Sequence, residues 1–457
     1  MITALAFLLT LAVLIVVHEY GHYRVAVACG VKVLRFSVGF GRVIWRHQKS
    51  PDHTEFVLSA LPLGGYVRML DEREGPVAPQ QLSQAFNRKP LAQRAAVVAA
   101  GPLANLLLAV LLYASAHWIG VDEPKALLGA PTAGSVAERA GMRSGDWVRA
   151  WQDADGQWTE LSSLTELRWQ LTQHLMSAKP LSLQVSDAEG RGSRQLRLAL
   201  DELGGQELDA ALIKRIGLGS AYSEPVMGEI KAGGPAAAAG LRSGDRVLRV
   251  DGQPVSDAQA LRDHIRGAVT AGQDNAPAQL WRLQRGGQEI ELSVTPRRVR
   301  DGERSVGRVD AFIGGAPQMV KVQLGAIEGL SQGAVRTWEV SLMTVRMLGR
   351  MLVGEASLRN LSGPLTIADV AGQSVQQGLT YYLGFLALVS VSLGILNLLP
   401  LPMLDGGHLM YYIFEALTGR PVSDQWLARL QRGGVAVLLL LMSVALFNDF
   451  ARLLGLH

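Results

Sequence analysis

Residues 2–28 read ITALAFLLTLAVLIVVHEYGHYRVAVA, and this stretch decides the class of the chain. Residues 2–17 carry no charge, and the helical pattern continues through HEYGHYRVAVA. A bilayer core about 30 Å thick needs about 20 residues of helix. Three further blocks are apolar in the same way: 95–119 (AAVVAAGPLANLLLAVLLYASAHWI), 381–404 (YYLGFLALVSVSLGILNLLPLPML) and 433–448 (GGVAVLLLLMSVALFN). Four membrane spans are predicted. The first block is not read as a signal peptide, because its start lacks a basic segment and no A-x-A site follows. Four such blocks also argue against a buried helix of a soluble core.

The rest of the composition agrees. The 457 residues suggest about three structural units. Their 48% hydrophobic content and mean hydropathy of +0.17 fit a mixture of membrane and soluble parts. A net charge of +4, from 44 basic and 40 acidic residues with no basic run, excludes a nucleic-acid binder. One cysteine, Cys29, excludes an intramolecular disulfide framework and a four-cysteine zinc site. Eleven Lys/Arg lie between Tyr23 and Arg94 and none precede the first span. The positive-inside rule then puts that loop in the cytoplasm and the N-terminus outside. Residues 120 to about 378 face outside, 405–432 face the cytoplasm, and the C-terminus ends outside.

The outer segment repeats itself: AGMRSGDWV at 140–148 returns as AGLRSGDRV at 239–247. Short alternating strands such as RVLRVDGQPV (246–255) and IELSVTP (290–296) surround the copies. Each copy resembles a PDZ domain. The second is the closer match, while AWQDADGQW at 150–158 replaces the usual turn in the first. Ile216 and Leu218 are expected to line the second pocket. Two generic β-rich domains are the alternative. Residues 335–353, VRTWEVSLMTVRMLGRMLV, read as an amphipathic helix at the outer interface or as a packed helix of a soluble domain.

His18-Glu19-Tyr20-Gly21-His22 is HExxH. On a helix, positions four apart share a face, so both imidazoles can reach one metal and Glu19 can act as general base on its water. Charged and imidazole groups inside an apolar span are costly unless functional. Residues 23–33 hold no His, Asp or Glu, so a third ligand must come from far along the chain. Asp405, in Asn397-Leu-Leu-Pro400-Leu-Pro402-Met-Leu-Asp405-Gly406, follows a span that also runs from outside to inside. His18, about 16 residues or roughly 24 Å along the first span, therefore meets it on the cytoplasmic side. His408 is a rival ligand. Asn397 lies about two helical turns before Asp405, on a similar face.

HExxH together with NxxPxxxxDG resembles the site-2 protease family of intramembrane zinc proteases. Gly39-Phe40-Gly41, Pro62-Leu63-Gly64-Gly65-Tyr66-Val67, Gly101-Pro102 and Asn360-Leu361-Ser362-Gly363-Pro364 extend the resemblance over essentially the whole chain. It implies a polytopic α-helical membrane protein with four spans, a membrane-associated β element and two tandem PDZ domains. The units would be 1–119 (two spans, HExxH and β loop), 120–215 and 216–299 (PDZ-like), 300–378 (linker and amphipathic interfacial helix) and 379–457 (two spans with Asp405).

The resemblance further implies peptide-bond hydrolysis inside the bilayer. His18, His22 and Asp405 would hold Zn2+ and Glu19 would be the base. Asn397 would bind substrate backbone or the oxyanion, with a helix-packing amide as its rival role. A helical substrate hides its carbonyls and must unwind. Strands at 36–45 and 55–70 would receive it by β-addition, with Gly39, Phe40, Gly41, Pro400 and Pro402 as substrate-binding residues, an ordinary cytoplasmic hairpin being the alternative. Substrates would be single-span membrane proteins already trimmed outside by another protease, of the anti-sigma-factor type in a stress response, and remnant signal peptides. The expected location is a bacterial inner membrane, with PDZ domains and both termini periplasmic and the active site near the cytoplasmic side. The outer pair is expected to act as a steric gate on access, with capture of a freshly exposed substrate C-terminus along a strand edge as the alternative. A non-catalytic PDZ scaffold is the competing reading; a transporter lacks its inverted repeats.

Overall fold

In the computed structural model, which describes residues 2–153, 155–203, 210–269, 276–301, 304–353, 363–420 and 422–453, the opening apolar run forms helix α1 (Ile2–Ala28). Two long strands follow, β1 (Val33–His47) and β2 (Glu55–Met69). They make more than a simple ladder. Phe36 faces both Val67 and Phe56, and Phe56 also faces His47. The two strands thus supply four short runs side by side, in the order 43–47, 56–59, 35–38 and 65–68. The backbone turns at Gly39 and Gly41, with φ of +87° and +85°, where a side chain would be strained.

Helix α2 (Leu91–Ile119) starts after Pro90 and carries Pro102 inside it. α3 (Ala326–Leu352) packs along α2, its Val340 sharing a buried cluster with Ala109, Tyr113, Ala387 and Val391. The amphipathic stretch at 335–353 thus has helical neighbours along its first half. α4 (Pro364–Gln377) and α5 (Leu379–Leu398) meet α1 through Ala6, Ala371, Tyr382 and Phe385.

The third apolar block is not one continuous helix. α5 stops at Leu398, Leu399 is extended, and α6 (Asp405–Thr418) begins afresh. A residue before proline is pushed out of the helical region, and Pro400 enforces the break. Asn397 and Asp405 are therefore on different helices, which corrects the expectation of a shared helical face. α7 (Asp424–Leu453) closes the membrane unit. Its buried Asp449 accepts from the amides of Gly363, Leu365 and Thr366, capping α4. Among the described residues, four helices are long and apolar enough to cross a membrane: Ile2–Ala28, Leu91–Ile119, Leu379–Leu398 and Gln425–Ala451. The chain is a polytopic membrane protein with a β element. Asn360, Leu361 and Ser362 of the Asn360–Pro364 motif lie outside the described residues.

Residues 122–322 form a separate unit with two apolar cores. The first sheet orders Trp158–Glu160, Trp147–Gln152, Leu181–Ser186 and Arg194–Leu198; the second orders Gln253–Pro254, Arg246–Val250, Gln279–Arg285 and Gln288–Val294. The topology is the same in both. So is the turn that carried the sequence repeat. Asp146 accepts from the Arg143 amide and from Arg194; Asp245 accepts from the Arg242 amide and from Arg285. Ile216 belongs to the first core, with Leu218 packed on it, so neither lines a second pocket. The second core reaches Ile313, past residue 299.

Candidate metal centre

α1 and α2 approach closely because each offers a glycine at the crossing. A Cβ on Gly21 would lie 2.4 Å from the Ala100 carbonyl oxygen, and one on Gly101 would lie 2.2 Å from His22 Nε2. Small residues let membrane helices meet backbone to backbone. The contact places His22 so that Nδ1 donates to the Val97 carbonyl at 2.8 Å. A carbonyl only accepts, so Nδ1 carries the proton and Nε2 presents its lone pair.

That lone pair faces two other donors. His22 Nε2 lies 3.2 Å from His18 Nε2 and 3.5 Å from Asp405 Oδ2, and His18 Nε2 lies 3.2 Å from the same carboxylate oxygen. Among the described residues, this trio is the group of His, Cys, Asp or Glu able to hold one metal ion. Zinc bonds of about 2.0–2.1 Å in a tetrahedron put ligand atoms about 3.3 Å apart. The three separations match that edge, and the N,N,O donor set suits zinc with one position open. The residues fit the ion.

Asp405 reaches the two histidines because α6 begins with it, directly after the Pro400–Pro402 break. Its helix is tied to α2 by Arg94, which pairs with Glu415 at 2.6 Å. His408, three residues on, packs edge-on against Tyr411 and is not one of the three. Glu19 lies against the β layer. A Cβ on Gly65 would sit 2.9 Å from Glu19 Cγ, so only glycine lets β2 pass so close to this side chain.

The residues proposed for substrate are less gathered. Phe40 is exposed and stacks on Tyr66. Gly39 lies against β2, a Cβ there meeting the Leu61 carbonyl at 2.8 Å. Gly41 turns away beside the Leu61 side chain. Asn397 is half-buried at the end of α5, Pro400 is exposed, and Pro402 rests on Gly434 of α7. None of these is among the hydrogen-bond or ion-pair partners of His18, His22 and Asp405.

Sequence reading missed Asn105. It is fully buried on α2, two turns beyond Val97, with Nδ2 3.4 Å from His18 Nδ1 and Oδ1 without a partner. A lone amide inside an otherwise apolar span was the available signal.

This fold and this constellation define a membrane metalloprotease. The chain belongs to Peptidase family M50, whose model matches residues 6–441. It is thus a zinc metalloendopeptidase of the class that carries out regulated intramembrane proteolysis, as the two motifs led one to expect. It is 37% identical to the regulator of sigma-E protease RseP of Escherichia coli and 39% identical to that of Salmonella typhimurium, each over 98% of both chains. A Ralstonia nicotianae protein provisionally named a zinc metalloprotease is 40% identical over the full length of both.

Proposed function

We propose that the chain cleaves transmembrane segments of single-span proteins in a bacterial inner membrane, with His18, His22 and Asp405 holding zinc and Glu19 as the base. The observation that carries this reading is the convergence of three donor atoms at tetrahedral spacing, with Glu19 next to His18 on the same spanning helix. Bound there, zinc would polarise the scissile carbonyl and bring the pKa of water toward 7. Glu19 takes the proton of the attacking water and passes it to the leaving amide nitrogen. The β layer receives the unwound substrate strand along an edge near Gly39, Phe40 and Gly41. Asn397, Pro400 and Pro402, at the break before Asp405, hold substrate backbone beside the reacting carbonyl.

The relatives are named for regulation of sigma E. That name favours an anti-sigma factor, trimmed first by another protease, as the substrate type; remnant signal peptides are a second. The two outer subdomains are read as PDZ domains, periplasmic like both termini, that restrict access to trimmed substrates.

Glu19→Gln tests the reading. The variant is expected to keep its zinc and to lose cleavage of a model single-span substrate by at least 100-fold, the contribution of a general base. Cleavage at the wild-type rate removes Glu19 from the role.

A further inference from the structure

Two histidines of one helix face need the same proton arrangement if both are to offer Nε2 to a metal. For His22 the arrangement is built in, since the Val97 carbonyl takes the Nδ1 proton at 2.8 Å. For His18 the group at Nδ1 is the Asn105 carboxamide, 3.4 Å away. Oxygen and nitrogen of an amide occupy the same shape, and their assignment follows from partners. With Nδ2 toward His18, the ring nitrogen at Nδ1 must accept, the proton moves to Nε2, and His18 cannot ligate. Oδ1 is then left buried and without a partner. With the amide turned over, Oδ1 accepts from His18 Nδ1–H and Nε2 is free for the metal.

We propose that Asn105 is a positioning residue: its Oδ1 accepts the Nδ1 proton of His18 and so fixes the tautomer and ring angle that ligation requires. This rests on the reading of His18 as a metal ligand. The placement is specific. Val97, Gly101 and Asn105 are spaced by four on α2 and so share one face. That face meets His22 with a carbonyl, clears its ring with a glycine, and meets His18 with the amide. Asn105 is itself held, because its own carbonyl accepts from Ser390 Oγ of α5 at 2.7 Å. α2 therefore supplies the outer partner of both histidines while contributing no ligand.

The test is zinc affinity of the purified full chain in detergent, measured by competition with a chromophoric chelator. Asn105→Leu keeps the shape and removes the acceptor; affinity is expected to fall by about 10- to 100-fold, as for other outer-shell partners. Asn105→Asp keeps an acceptor of the same shape and is expected to bind zinc within a few-fold of wild type. Thermal melting of the zinc-free variants checks folding. Wild-type affinity in Asn105→Leu, or an equal loss in Asn105→Leu and Asn105→Asp, overturns the proposal. His18→Ala separates the two layers of the argument. If it binds zinc as tightly as wild type, His18 is no ligand and both readings fail. If it loses zinc while Asn105→Leu does not, only the role of Asn105 fails.

Discussion

At the scale of residues, two missing side chains matter as much as the ones present. At Gly101 and Gly65, α2 and β2 pass close enough to His22 and Glu19 that a Cβ would collide with them. Filling these glycines should separate metal binding from turnover. Gly101→Ala puts a methyl 2.2 Å from His22 Nε2, so the ring must leave its place. Zinc affinity should fall, with about 1–3 kcal/mol lost to overpacking. Gly65→Ala crowds Glu19 instead, so zinc should stay and kcat should drop. Chelator competition and substrate cleavage on both variants check this; equal zinc affinity in the two would contradict it. Which residues were legible follows the same logic. The spacing of His18 and His22 is local and was read directly. The partnership of His22 with Val97 and of His18 with Asn105 depends on how two helices cross, and no local pattern carries that.

At the scale of elements, the chain's breaks and repeats were legible where they rest on backbone chemistry. Pro400 and Pro402 stood in the sequence as signals of a helix end, yet the apolar run around them hid the boundary between α5 and α6. The repeated R-S-G-D turns were legible because each needs glycine at positive φ, +86° at Gly145 and +89° at Gly244. The use of Asp245 was not. Its carboxylate is 1% exposed and pairs with Arg285 at 2.7 Å. Burial pushes its pKa up, but the Arg285 hydrogen bonds and the Arg242 amide outweigh that, and the net direction is down. A carboxyl with a depressed folded pKa stabilises fully above its unfolded pKa of about 3.9, and the contribution is lost as pH falls through the folded value. Arg285→Leu leaves a buried charge and should cost the second subdomain about 3 kcal/mol at pH 7. Proteolytic sensitivity of residues 222–322 reads this out, and Asp245→Asn should flatten the stability profile below pH 4. Unchanged resistance in Arg285→Leu would show that the pair contributes nothing.

At the scale of the whole molecule, a protease open to the bilayer endangers every single-span protein, so access needs a filter. The unit at 122–322 lies in sequence between the second and third spans and holds none of the metal-ligating residues. If it is a steric gate, deleting residues 122–322 with a short linker in their place should let the enzyme cut substrates that keep a large outer domain. Gel analysis of such substrates in cells checks this; continued exclusion would contradict the gate. The central claim is the metal itself, and the most direct measurement is the zinc-to-protein ratio of the purified chain and of Asp405→Ala. One zinc per wild-type chain and a ratio well below that in Asp405→Ala is the expected result, because two histidines alone bind zinc poorly. Full zinc in Asp405→Ala would contradict the three-ligand centre.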